Sequence, residues 1–302
     1  MIKKLTILLV LALPVVAAGT VQEAERATLR QHVLKLINAD RREYNLPPVA
    51  LDPKLSKLGD EYCRRQIVAG TTGHFTIDGL APYMRYSFAG GNDGLTENAA
   101  AWSAPYTFTD RALFEIARRS QDAMMGEVPP HDGHKRAILD PHATHVGIGL
   151  AWERGEFRLV HEFVRRYVDW SRPFPRAARI GDTITGGGRP HSGVRVEAVS
   201  VHHEPLPQPL TRQAANAINT YGLPETRKDY TPRSPRPELR IGGRRNPLFL
   251  APDGAFTFDV PLLDGPGIYT VVVWVKKEGD TRAIAASNVS IRVDAAAFAG
   301  TR

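Results

Sequence analysis

The hydrophobic periodicity of the chain changes near residue 170, and this change limits the folds that the chain can adopt. Residues 22 to about 168 alternate helical patterns with short strand patterns, whereas residues 178 to 295 contain strand patterns and turns almost throughout. The intervening stretch, WSRPFPRAA from Trp170, has two prolines and no apolar period. We therefore predict two domains, residues 22–168 and 178–302, joined by a linker at residues 169–177.

The first half is predicted to be a layered α/β domain. One helix carries an apolar stripe that starts with Leu29 and Val33, and a second begins where Asp52 offers an N-cap before Pro53. A third helical pattern begins near Asp110. The stretches VGIGLAW and FRLVHEFV, separated by ERGE, are typical of two buried strands joined by a hairpin turn. Helices that flank a small sheet form such a domain.

The second half is predicted to be an all-β sandwich of immunoglobulin-like type. Apolar residues alternate along several segments, as in Phe256, Phe258 and Val260, and Gly, Pro and Asp turns separate the segments. In GVRVEAVSV the apolar face switches, which indicates a β-bulge near Ala198. A long insertion rich in proline and arginine, residues 202–247, is expected to be a mobile surface loop with one short helix around residues 213–219.

The N-terminal sequence MIKKLTILLVLALPVVAAGT has the order of features of a secretory signal peptide. Two lysines precede an apolar run from Leu5 to Val16, and small residues follow it. The run is too short to cross a bilayer, and it has no polar face, which argues against the alternative of a core helix. We predict a signal peptide at residues 1–19, a secreted or periplasmic location and no transmembrane segment in the mature chain.

The net charge of the chain is +7, and most of the excess lies in one region. Residues 176–246 contain twelve Lys and Arg residues but only six Asp and Glu residues. The basic insertion 202–247 could contact an anionic polymer or membrane surface, and the alternative is a solvated arginine-rich loop. An exported chain without a nucleic-acid-binding motif is not expected to bind nucleic acid.

Four polar residues of the first half could form one chemical site. They are His74 in TGHF, Glu97 in TENAA, Glu127 in MGEVPP and His134 in DGHKRAIL. Two imidazoles and two carboxylates can bind a divalent metal ion, or they can hold a water molecule and transfer protons. Spacing alone leaves a simpler alternative open for each residue, such as a helix cap or an exposed side chain.

The order of these motifs resembles that of the CAP superfamily, which contains the cysteine-rich secretory, antigen 5 and pathogenesis-related proteins. The similar segments are LINADRREYNLPPVALDPKLSKLGDEY, GHF, TENAA and DGHKRAILDPHATHVGIGLAW, within about residues 28–165. The chain departs from the family at Thr96, where glycine is frequent, and at Ala137, where asparagine is frequent. The resemblance implies an α-β-α sandwich with a central cleft lined by two histidines and two acidic residues.

Residue by residue, the resemblance places the two histidines at His74 and His134 and the first acidic residue at Glu97. Glu127 takes the second acidic position, because a subgroup of the family has an acidic residue, prolines and then DGH. His131 is either a residue at the rim of the cleft or an accessory ligand, since it lies three residues before His134.

The remaining histidines have no assigned role. His142 and His145 are predicted to lie on the surface or to cap an element, and the pair His202–His203 is predicted to be exposed. His161, in the strand pattern LVHEF, could face the cleft, but a hydrogen-bonded histidine of the core is the preferred interpretation.

The resemblance favours a secreted, non-enzymatic binding protein over an enzyme. Its cleft would hold a divalent metal ion, with zinc preferred because imidazole nitrogens suit it, and would bind a lipid, glycan or peptide of the cell envelope or its surroundings. The alternative is a metal-dependent hydrolase, a peptidase or esterase, with Glu97 or Glu127 as base. A third hypothesis, compatible with the first, is that the second domain docks onto a cell-surface polymer.

Overall fold

The computed structural model describes residues 15–232 and 247–295, in which an α/β domain precedes a domain made almost entirely of strands. The elements of the first domain are α1 (Val15–Glu43), β1 (Ala50–Leu51), α2 (Pro53–Ala69), α3 (Pro82–Phe88), β2 (Gly94–Ser103), α4 (Asp110–Met125), α5 (Gly133–Ile138), β3 (His145–Glu153) and β4 (Glu156–Arg165). The predicted signal peptide, residues 1–19, has only its last five residues within this range, and they form the start of α1.

The second domain contains ten strands and one short helix among the described residues. They are β5 (Val168–Arg172), β6 (Ala177–Arg179), β7 (Thr183–Pro190), β8 (Val194–Glu204), α6 (Arg212–Ala217), β9 (Arg227–Pro232), β10 (Pro247–Leu250), β11 (Phe256–Pro261), β12 (Gly267–Lys277), β13 (Ile284–Ala285) and β14 (Val289–Asp294).

The sheet of the first domain has four strands in the order β1-β3-β4-β2. β4 runs antiparallel to both of its neighbours, and the short β1 runs parallel to β3. The predicted hairpin between VGIGLAW and FRLVHEFV is confirmed as β3 and β4, with Arg154 in the left-handed region (φ 53°) at the turn. β2 lies at one edge of this sheet.

Helices cover both faces of the sheet. Alternate residues of β4 point to opposite faces and pack against these helices. Phe157, Leu159 and Phe163 are buried in the core that α1 and α4 share. Val160 and Val164 pack on the other side, against residues of α2. The mixed α/β architecture predicted for this half is therefore confirmed.

The strands of the second domain follow the order β5-β7-β11-β10-β9-β8-β12-β14-β6, and β13 pairs with β12. Most neighbours are antiparallel, but β9 runs parallel to β10, and β6 runs parallel to β14. The predicted bulge is confirmed, since Trp274 pairs with Ala198 whereas Val275 pairs with Val196. An immunoglobulin-like topology stays a prediction.

The segment 169–177, expected to be a linker, carries strand structure. Its first residues belong to β5, which pairs with β7, and Ala177 begins β6, which pairs with β14. Trp170 of β5 and Phe174, which follows β5, contact each other with ring centroids 5.6 Å apart, at the core of the second domain. β5 and β6 are the two ends of the strand order, and edge strands tolerate nearby prolines because they lack a second neighbour.

The structure corrects the expected mobile loop for residues 202–232. Residues 202–204 complete β8, residues 227–232 form β9, and the predicted short helix is present as α6. The segment between β8 and β9 packs against the first domain. The rest of the predicted insertion, residues 233–246, lies outside the described residues.

Candidate functional site

His74 lies in the loop that follows α2, and two side chains of that helix hold the loop in place. Gly70 ends α2 in the left-handed conformation (φ 68°), which turns the chain back toward the helix. The hydroxyl of Tyr62 and the amide of Gln66 both donate hydrogen bonds to the carbonyl oxygen of Gly73, each at 2.7 Å. His74 is therefore fixed in a buried position, with 6% of its surface exposed.

Glu97 projects from β2 toward this histidine and is enclosed completely. Its Oε1 accepts a hydrogen bond from Nδ1 of His74 at 3.0 Å, and its Oε2 pairs with the guanidinium of Arg85. Arg85 also donates to the carbonyl oxygen of His74 at 2.6 Å, and its guanidinium lies 3.5 Å from the ring centroid of Tyr62. One arginine therefore holds both Glu97 and the backbone of His74.

Glu127 and His134 form the second histidine–carboxylate pair. Oε1 of Glu127 contacts Nδ1 of the His134 ring. Oε2 accepts from the backbone N–H of His134 at 2.9 Å and from that of Lys135 at 3.4 Å. Glu127 thus satisfies free N–H groups at the start of α5 while it orients the imidazole.

The two imidazoles face each other across the cleft. Their ring centroids are 6.3 Å apart and their planes differ by 33°. A carboxylate can only accept a hydrogen bond, so each histidine carries a proton on Nδ1, and in the neutral ring Nε2 keeps a free lone pair. This is the arrangement in which a carboxylate orients a metal-binding histidine.

The donor set fits a metal ion held by two protein nitrogens. Within residues 15–232 and 247–295, no group of three or more His, Cys, Asp and Glu side chains is arranged to hold a metal ion. Both glutamates are turned toward the Nδ1 atoms of their histidines, so the imidazole Nε2 atoms of His74 and His134 are the ligands available. Other coordination positions would belong to water or to a bound ligand.

The cleft around these residues has a volume of about 650 Å³. Most of its lining residues have polar side chains, and the lining includes both positions at which the chain departs from the family, Thr96 and Ala137. His131 lies at this cleft, as the sequence predicted, and whether it is an accessory ligand stays open. Residues of the second domain, Asn219 to Tyr221, complete the lining.

His161 is buried behind the cleft, and the expectation of a hydrogen-bonded core histidine needs correction. It is fully enclosed, but neither ring nitrogen has a hydrogen-bond partner among the described residues. Burial above all lowers the pKa of His161 to about 3. Its imidazole is therefore neutral, and it does not reach the cleft lining.

The other histidines differ from one another in their surroundings. His142 and His145 are partly buried, and Nδ1 of His145 contacts the hydroxyl of Thr144 at 3.0 Å. His202 was predicted to be exposed and is instead buried, because β8 places it inside the second domain. Its Nδ1 lies 2.7 Å from the carbonyl oxygen of Pro224, and burial lowers its pKa.

Three residues of the site were not identified from the sequence. Arg85 lies in a short helix without a motif, and Tyr221 is 124 positions from the residue that it contacts, Glu97. Asn98, which donates a hydrogen bond to the carbonyl oxygen of His134 at 3.0 Å, lies inside the TENAA motif itself. Only Asn98 was therefore within reach of a sequence argument.

The fold and the site define an α/β domain with a cleft built from two histidine–carboxylate pairs. Residues 34–160 match the sequence model of the cysteine-rich secretory protein family, CAP. Residues 34–160, most of the first domain, therefore carry a CAP domain.

A comparison with solved structures finds a similar chain from Bacillus anthracis str. Ames, an extracellular protein that contains an SCP domain. The two chains share 18% sequence identity with a TM-score of 0.34, and the match covers 45% of this chain and 40% of the other. No curated protein matches the chain. Among the described residues, no helix is both long enough and apolar enough to cross a membrane.

Proposed function

We propose that this chain is a secreted CAP-domain protein that binds a divalent metal ion, zinc, in the cleft between His74 and His134. The observation that carries the proposal is the pair of imidazoles 6.3 Å apart, each held at Nδ1 by its own glutamate. Export is supported by the predicted signal peptide at residues 1–19.

Zinc fits these donors better than the hard cations do. Calcium and magnesium prefer shells of oxygen atoms, whereas neutral imidazole is a common zinc ligand. A site with two histidines and no thiolate is weak and leaves coordination positions open. Such a site suits a metal ion that takes part in holding a ligand, because the ligand can complete the coordination shell.

The carboxylates support binding rather than hydrolysis. A metal-dependent hydrolase needs a base that is free to accept a proton from the attacking water. Glu97 is shared between His74 and Arg85, and both oxygens of Glu127 accept hydrogen bonds from α5. All four carboxylate oxygens are engaged in positioning.

The lining of the cleft favours a polar ligand. Thr96 and Asn219 offer a hydroxyl and an amide group, and Arg136 adds a positive charge. These groups match the hydroxyl and amide groups of a glycan or a peptide of the cell envelope, whereas a lipid chain would leave them unpaired. Contact of the basic insertion 202–247 with an anionic surface remains a prediction from its charge.

Zinc titration of a double variant tests the proposal. The mature protein, stripped of metal with a chelator, is titrated with zinc by calorimetry and compared with the variant His74→Ala/His134→Ala. We expect the wild-type chain to bind one zinc ion per molecule and the double variant to lose this binding, since both ligands are gone. The far-UV circular dichroism should be retained, because the core of the first domain lies elsewhere.

The matched control is His191→Ala. His191 also pairs with a carboxylate, since its Nε2 lies 3.2 Å from Asp169, but it lies on the surface of the second domain. Its replacement should leave the zinc affinity unchanged. Equal zinc affinity in the wild-type chain and the double variant would refute the proposed site.

A further inference from the structure

The outer edge of β2 is covered by the second domain. β2 pairs with β4 on one side only, so alternate backbone groups on the other side need partners. The side-chain amide of Asn288 pairs with both the N–H and the carbonyl oxygen of Leu95, each at 3.2 Å. The hydroxyl of Tyr221 accepts from the N–H of Glu97 and donates to its carbonyl oxygen, the latter at 3.2 Å.

Tyr221 belongs to a segment that we call the strap, residues 205–224, between β8 and β9. The strap runs alongside the loop that carries His74. Leu210 donates a backbone hydrogen bond to Ile77 at 2.7 Å, and the side chain of Asn216 accepts from the N–H of Thr72 at 2.9 Å.

Glycines in the loop make this close approach possible. A Cβ atom at Gly79 would lie 2.4 Å from the carbonyl oxygen of Gln208, and one at Gly73 would lie 3.2 Å from that of Ile218. Any side chain at Gly79 would also be strained by its positive φ of 80°. These glycines of the first domain are therefore matched to the strap of the second.

The ring of Tyr221 lies against the imidazole of His74. The ring centroids are 4.8 Å apart at an angle of 63°, an edge-to-face contact. The same residue therefore touches the imidazole through its ring and the backbone of Glu97 through its hydroxyl. His74 is confined between its carboxylate partner and an aromatic side chain from the other domain.

We infer that the cleft is a two-domain site, in which Tyr221 is a positioning residue for His74 and Glu97 and the strap forms one wall of the ligand pocket. Asn219 and Thr220 provide that wall, so a polar ligand in the cleft would contact both domains. The metal-binding part of this inference rests on the proposed function, but the positioning of His74 does not.

The variant Tyr221→Phe tests the inference, because it keeps the ring and removes only the hydroxyl. Loss of an outer partner of a metal ligand lowers metal affinity by about 10-fold to 100-fold. The Tyr221 hydroxyl acts one step further out, through the backbone of Glu97, so we expect zinc affinity to fall by about 3-fold to 10-fold, with one site per molecule retained. The NMR signals of the His74 imidazole, identified by their loss in His74→Ala, should shift in metal-free Tyr221→Phe.

Tyr83→Phe is the matched control. Tyr83 is also buried between the domains, and its hydroxyl donates to Glu204 at 3.0 Å and contacts the carbonyl oxygen of Gly222 at 3.4 Å. It lies outside the cleft lining, so we expect its removal to leave the zinc affinity and the His74 signals unchanged.

The outcomes separate the two proposals. If the wild-type chain binds zinc through its histidines but Tyr221→Phe behaves like Tyr83→Phe in both measurements, the positioning role is wrong and the metal site stands. If the wild-type chain takes up no zinc, the proposed function falls. The imidazole signals then decide the positioning role alone, and unchanged signals in Tyr221→Phe overturn it.

Discussion

Replacement of Glu162 by glutamine should stabilise the protein at alkaline pH and have little effect at acid pH. Glu162 lies on β4, on the face covered by α2, and only 4% of its surface is exposed. It borders a cavity of about 200 Å³ beside Tyr62 and Arg85. Its Oε2 atom is buried and has no hydrogen-bond partner in the described part of the chain.

The pKa of Glu162 is raised from 4.5 to about 8. Burial is the main cause and the charge of Glu97 is the second, whereas the charge of Arg85 lowers the pKa. Between these two pH values the folded chain holds a proton that the unfolded chain has released. Stability contributed by this group is therefore present below about pH 4.5 and is lost as the pH rises through about 8. Glutamine is neutral throughout and avoids this loss.

The size of the effect follows from the pKa interval. One pH unit corresponds to about 1.4 kcal/mol, so the interval from 4.5 to about 8 sets an upper bound of roughly 5 kcal/mol. Relaxation of the carboxylate and entry of water into the cavity reduce the penalty for a real buried charge. We expect Glu162→Gln to raise the free energy of unfolding by about 2 to 4 kcal/mol at pH 8.5, and by less than about 1 kcal/mol at pH 5.

Urea denaturation at the two pH values, with a chelator present to exclude metal effects, measures this difference. Glu61→Gln is the matched control, because Glu61 borders the same cavity but its side chain is 51% exposed. Its surface ion pairs contribute at most about 1 kcal/mol, so the control should change little at either pH. An equal effect of Glu162→Gln at pH 5 and pH 8.5 would refute the assignment of a protonated, buried carboxyl.

Two further substitutions test the packing of the first domain. His161→Leu should raise the free energy of unfolding by about 1 to 2 kcal/mol at pH 7, since it removes two buried unpartnered nitrogens. The gain should grow at pH 5, because the unfolded histidine binds a proton below about 6.5 whereas the folded one, with a pKa of about 3, does not; a gain independent of pH would contradict this. Gly149→Ala should cost about 3 kcal/mol in urea denaturation, because its Cβ would lie 2.5 Å from the Cα of Gly59 and push α2 from β3. Gly222→Ala, where a Cβ meets nothing within 4 Å, should be nearly neutral, and equal losses in the two variants would argue against the close contact.

The local pattern of the sequence was enough to predict much of the fold. A period of 3.6 or 2 residues depends on neighbours along the chain, so α2 with its cap at Asp52, the hairpin of β3 and β4 and the bulge near Ala198 could be predicted. The pair Glu127 and His134 is also local, because seven residues separate the two. The resemblance to the CAP superfamily then connected this pair with His74 and Glu97.

Only the tertiary structure decided which distant segments meet. Strand pairing turned the expected linker at residues 169–177 into edge strands, and it buried His202 inside the second domain. Arg85 and Tyr221 became partners of Glu97 because their segments pack beside β2. No local period encodes such contacts, since they depend on which backbone edges and apolar surfaces remain uncovered once the separate elements have formed.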